Sequence, residues 1–294
     1  MSALDLVGLS QLMQRSQGTP EIAIALIDGP VVAGHPDLAG TPIREITGKL
    51  PSVCARPDSA ACIHATFVAG VLSGRRGSAA PAICPGCTLL LRPIFADGRN
   101  DPAPMPVATP EALADAIVDS VNAGARVINL SCAVLQSPPP GERTLEAALD
   151  YAARRQAIVV AAAGNQGSVG SSVLTRHPWV IPVVACNLHG RVSPESNLGK
   201  SIGSRGLRAP GEDVTSLGTA TAANTFGGTS VAAPFVTGAI ALVWSEYPEA
   251  SAVHVKWSIL HAGGARRAAI APPLLDAWAA YVALASLASR RQVV

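Results

Sequence analysis

Ile22-Ala23-Ile24-Ala25-Leu26-Ile27-Asp28-Gly29-Pro30 is an unbroken apolar run of strand length, stopped by an acidic residue and a turn pair. A run with no polar alternation reads as a strand buried on both faces, which is the pattern of a parallel sheet. Asp28 then stands at the carboxyl end of that strand. Further runs of the same kind follow at Leu89 to Ile94, Val127 to Leu130, Ile158 to Ala163 and Val180 to Ala185. Between them lie helical patterns, at Pro110 to Ala123 with Thr109 as N-cap and Gly124 as stop, and at Leu145 to Arg155. Strands alternating with helices predict an α/β fold, with a mostly parallel sheet and helices on both faces. The last part of the chain reads as a buried helix from about Ser230, a helix over Ala252 to Leu260, and a terminal apolar helix within Leu274 to Ala288. No internal repeat or compositional break divides the chain.

The expected organisation is an N-terminal extension over residues 1–20 and a single domain over 21–294. The chain has 294 residues, a formal net charge of +2 and no long basic run, so a nucleic-acid partner is not expected. Met1 to Gln17 has a helical pattern with Asp5 inside it, and lacks the basic start, apolar run and cleavage site of a signal peptide. No apolar stretch matches a membrane span. A soluble, cytoplasmic protein is the expectation, with no membrane partner.

Six cysteines are present: Cys54, Cys62, Cys84, Cys87, Cys132 and Cys186. Without an export signal, reduced thiols are the default. Four of the six lie between positions 54 and 87, so local pairing is sterically open. Cys62, His64, Cys84 and Cys87 offer a zinc alternative, although a single C-x-x-C carries little weight. Pro85-Gly86 spells a tight turn rather than the helix start of a redox motif.

Gly228-Thr229-Ser230-Val231-Ala232-Ala233-Pro234 places a hydroxyl at the start of a helix, with Pro234 read as a first-turn residue. Unpaired N–H groups and the helix dipole favour negative charge there, so Ser230 suits a nucleophile whose own N–H helps hold an oxyanion. A serine after Gly-Thr also caps ordinary core helices. His64 lies in Cys62-Ile63-His64-Ala65-Thr66-Phe67-Val68-Ala69-Gly70, a turn entering an apolar helix. Taken singly, His64 reads equally as a structural histidine, Asp28 as a turn residue, and Asn165 as an occupant of a left-handed turn beside Gly164. The order of the three candidates is aspartate, histidine, serine.

Four segments together resemble the subtilisin-like serine proteases. Ile24 to Gly29 resembles that family's aspartate motif, and His64 to Gly70 its histidine motif. Ala161-Ala162-Ala163-Gly164-Asn165-Gln166-Gly167 resembles its oxyanion-asparagine segment, and Gly228 to Pro234 its serine motif. Val127-Ile128-Asn129-Leu130-Ser131 resembles its substrate-lining strand. The resemblance, from about Ile22 to Ala262, implies a three-layer subtilisin-like fold. It implies Ser230 as nucleophile, His64 as base and acid, Asp28 as the residue orienting the imidazole, and Asn165 as oxyanion donor. It also implies substrate contacts from the edge Ser131, Cys132 and Ala133, and from a pocket wall of Ala163 and Gly164. Calcium is common in that family. No acidic loop of sufficient ligand density stands out, so no cofactor or metal is expected to be required.

Three positions depart from the family pattern: Gly29 directly after Asp28, Ala65 where glycine is usual, and Cys132-Ala133 after Ser131. Asp28-Gly29-Pro30, His35-Pro36-Asp37 and Arg92 to Gly98 look like the cyanobactin-maturing (PatA-like) branch. That likeness implies a ribosomally made precursor peptide as substrate. One subgroup of that branch cleaves and another makes macrocycles with a helical cap. The short Asp28 to His64 interval leaves little room for a cap, so hydrolysis is expected. Macrocyclisation and a catalytically silent peptide-binding scaffold are the alternatives. Oligomeric state is not legible.

Overall fold

Alternate residues of the first apolar run enter two different cores. Ile22, Ile24 and Leu26 pack on one side of the sheet, and Ala23, Ala25 and Ile27 on the other. That division is the physical origin of three layers, because a strand apolar on both faces must be covered on both. The computed structural model describes residues 1–97, 109–131, 141–262 and 269–291.

Seven strands form the main sheet: β1 (Ala23–Asp28), β2 (Ile43–Glu45), β3 (Thr88–Pro93), β4 (Val127–Leu130), β5 (Ile158–Ala162), β6 (Val180–Cys186) and β7 (Leu207–Pro210). Their order is β2-β3-β1-β4-β5-β6-β7, and every adjacent pair is parallel. A separate hairpin pairs β8 (Val214–Ser216) with β9 (Asn224–Phe226). The helices are α1 (Ala3–Leu6), α2 (Leu9–Arg15), α3 (Ala60–Ser73), α4 (Pro110–Asn122), α5 (Glu142–Arg154), α6 (Val173–Arg176), α7 (Lys200–Arg205), α8 (Thr229–Glu246), α9 (Ala252–His261) and α10 (Ala277–Arg291).

α3 and α8 contribute to the core that takes Ile24 and Leu26, whereas α4 and α5 cover the other face. α8 is buried along almost its whole length, which matches a sequence apolar on every side. Strand order reverses between β1 and β4: from β1 the chain passes to β2 at the sheet edge, comes back to β3 beside β1, and then crosses to β4 on the other side of β1. Ligands bind at the carboxyl ends of strands beside such a reversal. Asp28 ends β1 and Ser131 follows β4, so these two residues flank that point.

Val7, Leu9 and Leu12 are fully buried, so the N-terminal twenty residues pack into the same core as α8. Arg76 fixes this segment by donating to the carbonyls of Met13 and Ser16. No helix among the described residues is long and apolar enough to cross a membrane.

The cysteines differ from the reduced default. Cys54 and Cys62 form a disulfide, with Cα atoms 5.7 Å apart. It clips the segment before α3 to that helix's first turn. The same segment pairs with the chain beyond Asp28, through a bridge between Val31 and Val53 and a bond from Cys54 N–H to the Val31 carbonyl at 3.1 Å. Cys84, Cys87 and Cys186 are free and buried. Cys132 lies outside the described residues.

Candidate active site

Asp28 is 1% exposed at the end of the central strand. Its Oδ1 accepts the Gly29 N–H at 2.7 Å, and both carboxylate oxygens lie 2.9 Å from His64 Nδ1. Gly29 has a steric reason to follow it. A Cβ there would fall 2.4 Å from the Ala61 carbonyl oxygen in the first turn of α3. The missing side chain therefore lets the helix that carries His64 settle against the aspartate.

His64 sits one turn inside α3, rather than in the turn leading to it. Ser59 caps that helix by accepting the Cys62 N–H. Ala65, where glycine was the family expectation, is buried and keeps ordinary helical geometry. The His64 side chain is 13% exposed. Burial pushes its imidazolium form down, but the charge of Asp28 and the hydrogen bond to it outweigh burial. The net shift is upward from the ordinary histidine value of 6.5. On the other side of the ring, Nε2 is 3.0 Å from Ser230 Oγ.

Ser230 is the second residue of α8, after an N-cap Gly228 with φ of 115°. A side chain at Gly228 would be strained by that φ and would meet Asn165 Nδ2 at 2.8 Å. Pro234 does not occupy the first turn as expected; it lies inside the helix. A proline there removes the N–H that would bond the carbonyl four residues earlier, which is that of Ser230. The structure supplies a substitute, because Ser131 Oγ donates to the Ser230 carbonyl at 3.2 Å. Ser131 Oγ in turn accepts from Asn129 Nδ2 at 2.7 Å, and Thr237 Oγ1 donates to Asn129 Oδ1 at 2.8 Å. This buried chain ties the Ser230 peptide unit to β4.

Asn165 follows β5 on an exposed loop. Its Oδ1 accepts the Thr229 N–H at 2.8 Å. An N–H can only donate, so that contact fixes Oδ1 as the amide atom bonded to α8 and leaves Nδ2 as a donor not used in that bond. Neither Asn165 Nδ2 nor the Ser230 N–H has an acceptor among the described residues. Two unspent donors therefore accompany a hydroxyl with an imidazole already in hydrogen-bond reach. Such an arrangement can deliver the hydroxyl to a carbonyl carbon and hold the resulting oxyanion.

The four residues expected to act together do lie together. Ala163 and Gly164 are buried beside them, and the Gly164 N–H donates to Thr229 Oγ1 at 3.1 Å. Ser131 is present at the rim, but its hydroxyl is turned inward to α8. Cys132 and Ala133 lie outside the described residues, as does most of the Ala96 to Pro110 loop. The zinc alternative fails: Cys62 is in the disulfide, His64 is engaged by Asp28 and Ser230, and no group of three His, Cys, Asp or Glu side chains able to hold a metal occurs among the described residues. The side-chain roles of Asn129 and Asn197 were not read from the sequence. A polar residue inside the apolar run Val127 to Leu130 was the available signal for Asn129.

Residues 19–273 match the family model described as the subtilase family. The chain belongs to the subtilase family. This is the subtilisin-like serine protease family that the motifs implied, and its fold is the one observed. The subtilase is 31% identical to a thermophilic serine proteinase of Bacillus sp. (strain AK1) over 79% of its own length and 54% of that protein's. It thus spans about half the length of that curated relative. Among solved structures, it is similar to a mutant of the protease domain of PatA (31% identity, TM-score 0.81, covering 92% of this chain and 97% of that one). It is also similar to the prenylagaramide maturation protease PagA (27% identity, TM-score 0.80, covering 94% and 98%).

Proposed function

We propose that this subtilase is a serine endopeptidase that hydrolyses a peptide bond in a ribosomally made precursor peptide. The observation that carries the reading is the unbroken hydrogen-bonded chain from Ser230 through His64 to Asp28, beside the unspent amide of Asn165. Ser230 Oγ attacks the scissile carbonyl carbon while His64 Nε2 takes its proton. The carbonyl oxygen becomes an oxyanion held by Asn165 Nδ2 and the Ser230 N–H. Asp28 fixes the imidazole tautomer and stabilises the imidazolium. Collapse breaks the C–N bond, and His64 returns the proton to the leaving amine. Water then attacks the acyl-enzyme with His64 again as base, giving a carboxylic acid and free Ser230.

The precursor-peptide substrate is supported by the likeness to PatA and to a maturation protease, PagA. An extended peptide adds as a strand at the rim after β4, along Ser131, Cys132 and Ala133, with Ala163 and Gly164 walling the pocket.

The test is a leader-plus-core peptide incubated with the protein and with Ser230→Ala, read by mass spectrometry. Linear fragments whose masses sum to the substrate plus one water, absent with Ser230→Ala, are expected. A product lighter by one water than the corresponding linear fragment would show acyl transfer to an internal amine, and so a macrocyclase. Cleavage by the variant at the native rate would remove Ser230 from the reaction.

A further inference from the structure

The loop that carries Asn165 is clamped on both sides by a single buried amide, that of Asn197. Asn197 is 2% exposed. Its Oδ1 accepts the N–H of Gln166 at 3.1 Å, the N–H of Ser168 at 3.1 Å and the Ser168 hydroxyl at 2.8 Å. Its Nδ2 donates to the Ala163 carbonyl at 3.2 Å and to Gln166 Oε1 at 2.7 Å. Its backbone N–H donates to the Gly164 carbonyl at 2.9 Å. The residues before and after Asn165 are thus held by one side chain that takes no part in the chemistry.

The clamp is itself mounted on a rigid element. The Ser193 N–H donates to the Ala185 carbonyl at 2.9 Å, and the Ala185 N–H donates to Ser196 Oγ at 3.1 Å, which fixes residues 193–196 to β6. The Gly167 N–H donates to the Glu195 carbonyl at 2.7 Å, and the Leu198 N–H to the Ser168 carbonyl at 2.9 Å. Asn165 by contrast is exposed, and among the described residues its side chain is held by one bond, that from the Thr229 N–H. Its aim depends on where its backbone is kept.

We infer that Asn197 is a positioning residue for the oxyanion site. It acts through Asn165, by holding residues 163–168 so that Asn165 Nδ2 stays directed at the charge that forms in the transition state. The inference rests on the protease reading above. Donors aimed where charge develops are worth most when no reorganisation is needed at the moment of reaction, and a displacement of ~1 Å costs ~100-fold in rate.

A purely structural Asn197 would lower stability and act independently of Asn165, and a double-mutant cycle separates the two roles. Asn165→Ala, Asn197→Ala and the pair are compared in the whole chain by kcat, KM and thermal melting. Asn165→Ala is expected to lower kcat by about 10²–10³-fold. Asn197→Ala is expected to lower kcat by roughly 10–100-fold, with KM changed by less than about 3-fold. The pair is expected to fall within about 3-fold of Asn165→Ala alone. Asn197→Asp serves if the alanine variant does not fold. It keeps the acceptor but turns a carboxylate against the Ala163 and Gln166 oxygens, and its loss of kcat is expected to vanish in the Asn165→Ala background. Multiplying losses in the pair, native kcat in both Asn197 variants, or a loss confined to KM would each overturn the inference and leave the protease reading standing. An unchanged kcat in Asn165→Ala would overturn both the oxyanion assignment and the role of Asn197.

Discussion

Gly29→Ala tests how the carboxylate and the imidazole are brought together. The added Cβ would lie 2.4 Å from the Ala61 carbonyl oxygen, 2.7 Å from its carbonyl carbon and 2.8 Å from its Cβ. Contacts under 3.0 Å essentially do not occur, and ordinary contact begins at 3.4 Å. The atoms met are backbone, so no rotamer change relieves them, and the first turn of α3 must retreat by about 0.6 to 1 Å. Ser59 caps that turn and the Cys54–Cys62 disulfide tethers it, so the retreat is passed on to His64. Lengthening the 2.9 Å contact with Asp28 by that amount takes it beyond hydrogen-bond range. The expected outcome is a fall in kcat of roughly 100-fold. Overpacking adds a loss of about 1–3 kcal/mol in stability, a few degrees in Tm at roughly 2–4 °C per kcal/mol. Peptide-cleavage kinetics and a thermal melt on the same preparation check both. A folded Gly29→Ala protein with native kcat and native Tm would refute the reasoning, because it would mean that α3 does not press on the Asp28 turn.

Ser131→Ala leaves the Ser230 carbonyl without a donor, and is expected to cost about 1–3 kcal/mol by denaturant unfolding. Pro234→Ala restores a helical N–H for that carbonyl, so it should recover part of the loss in the Ser131→Ala background. Equal destabilisation by Pro234→Ala in both backgrounds would refute the substitution of one donor for the other. The acid limb of kcat/KM is expected above pH 6.5, since His64 must be neutral to act and Asp28 raises its pKa. The sign for stability is the reverse of that for activity: the Asp28 hold on protonated His64 stabilises the fold fully below about 6.5 and is lost as pH rises through the folded value. Asp28→Asn should move the limb to below 6.5, where burial alone would put it; a native limb already below 6.5 would contradict the electrostatic account. Reducing the Cys54–Cys62 disulfide, whose cysteines are 8 residues apart, should lower stability by about 2.5 kcal/mol on loop-closure entropy. Identical unfolding curves with and without reductant would show that the clip contributes nothing.

β1 and β3 to β6 were legible because each is an apolar run stopped by turn residues, and burial on both faces requires such a run. β2 and β7 were not, since three residues with exposed Arg44 and Glu45, and four residues ending in Pro210, carry no apolar period. The chemical groups were readable as motifs: hydroxyl, imidazole, carboxylate and amide each sit in a distinctive local sequence. Their supports were not. Asn197 acts on residues about thirty positions away, and nothing in Ser193 to Asn197 signals which carbonyls it will meet. Pro234 was misplaced for a similar reason: sequence shows a proline near a helix start, but only the position of Ser131 reveals why an interior proline is tolerated. Cysteine pairing likewise depends on which loop returns beside α3.

The enclosure of α8 has a practical corollary for altering what this protein cuts. A helix walled in by strands and other helices cannot tilt or slide to suit a new substrate, and substitutions along it propagate into the interior. Selectivity must therefore be edited outside α8, with Ser131 and the 163–168 loop kept as they are, because the first supports the Ser230 carbonyl and the second carries Asn165.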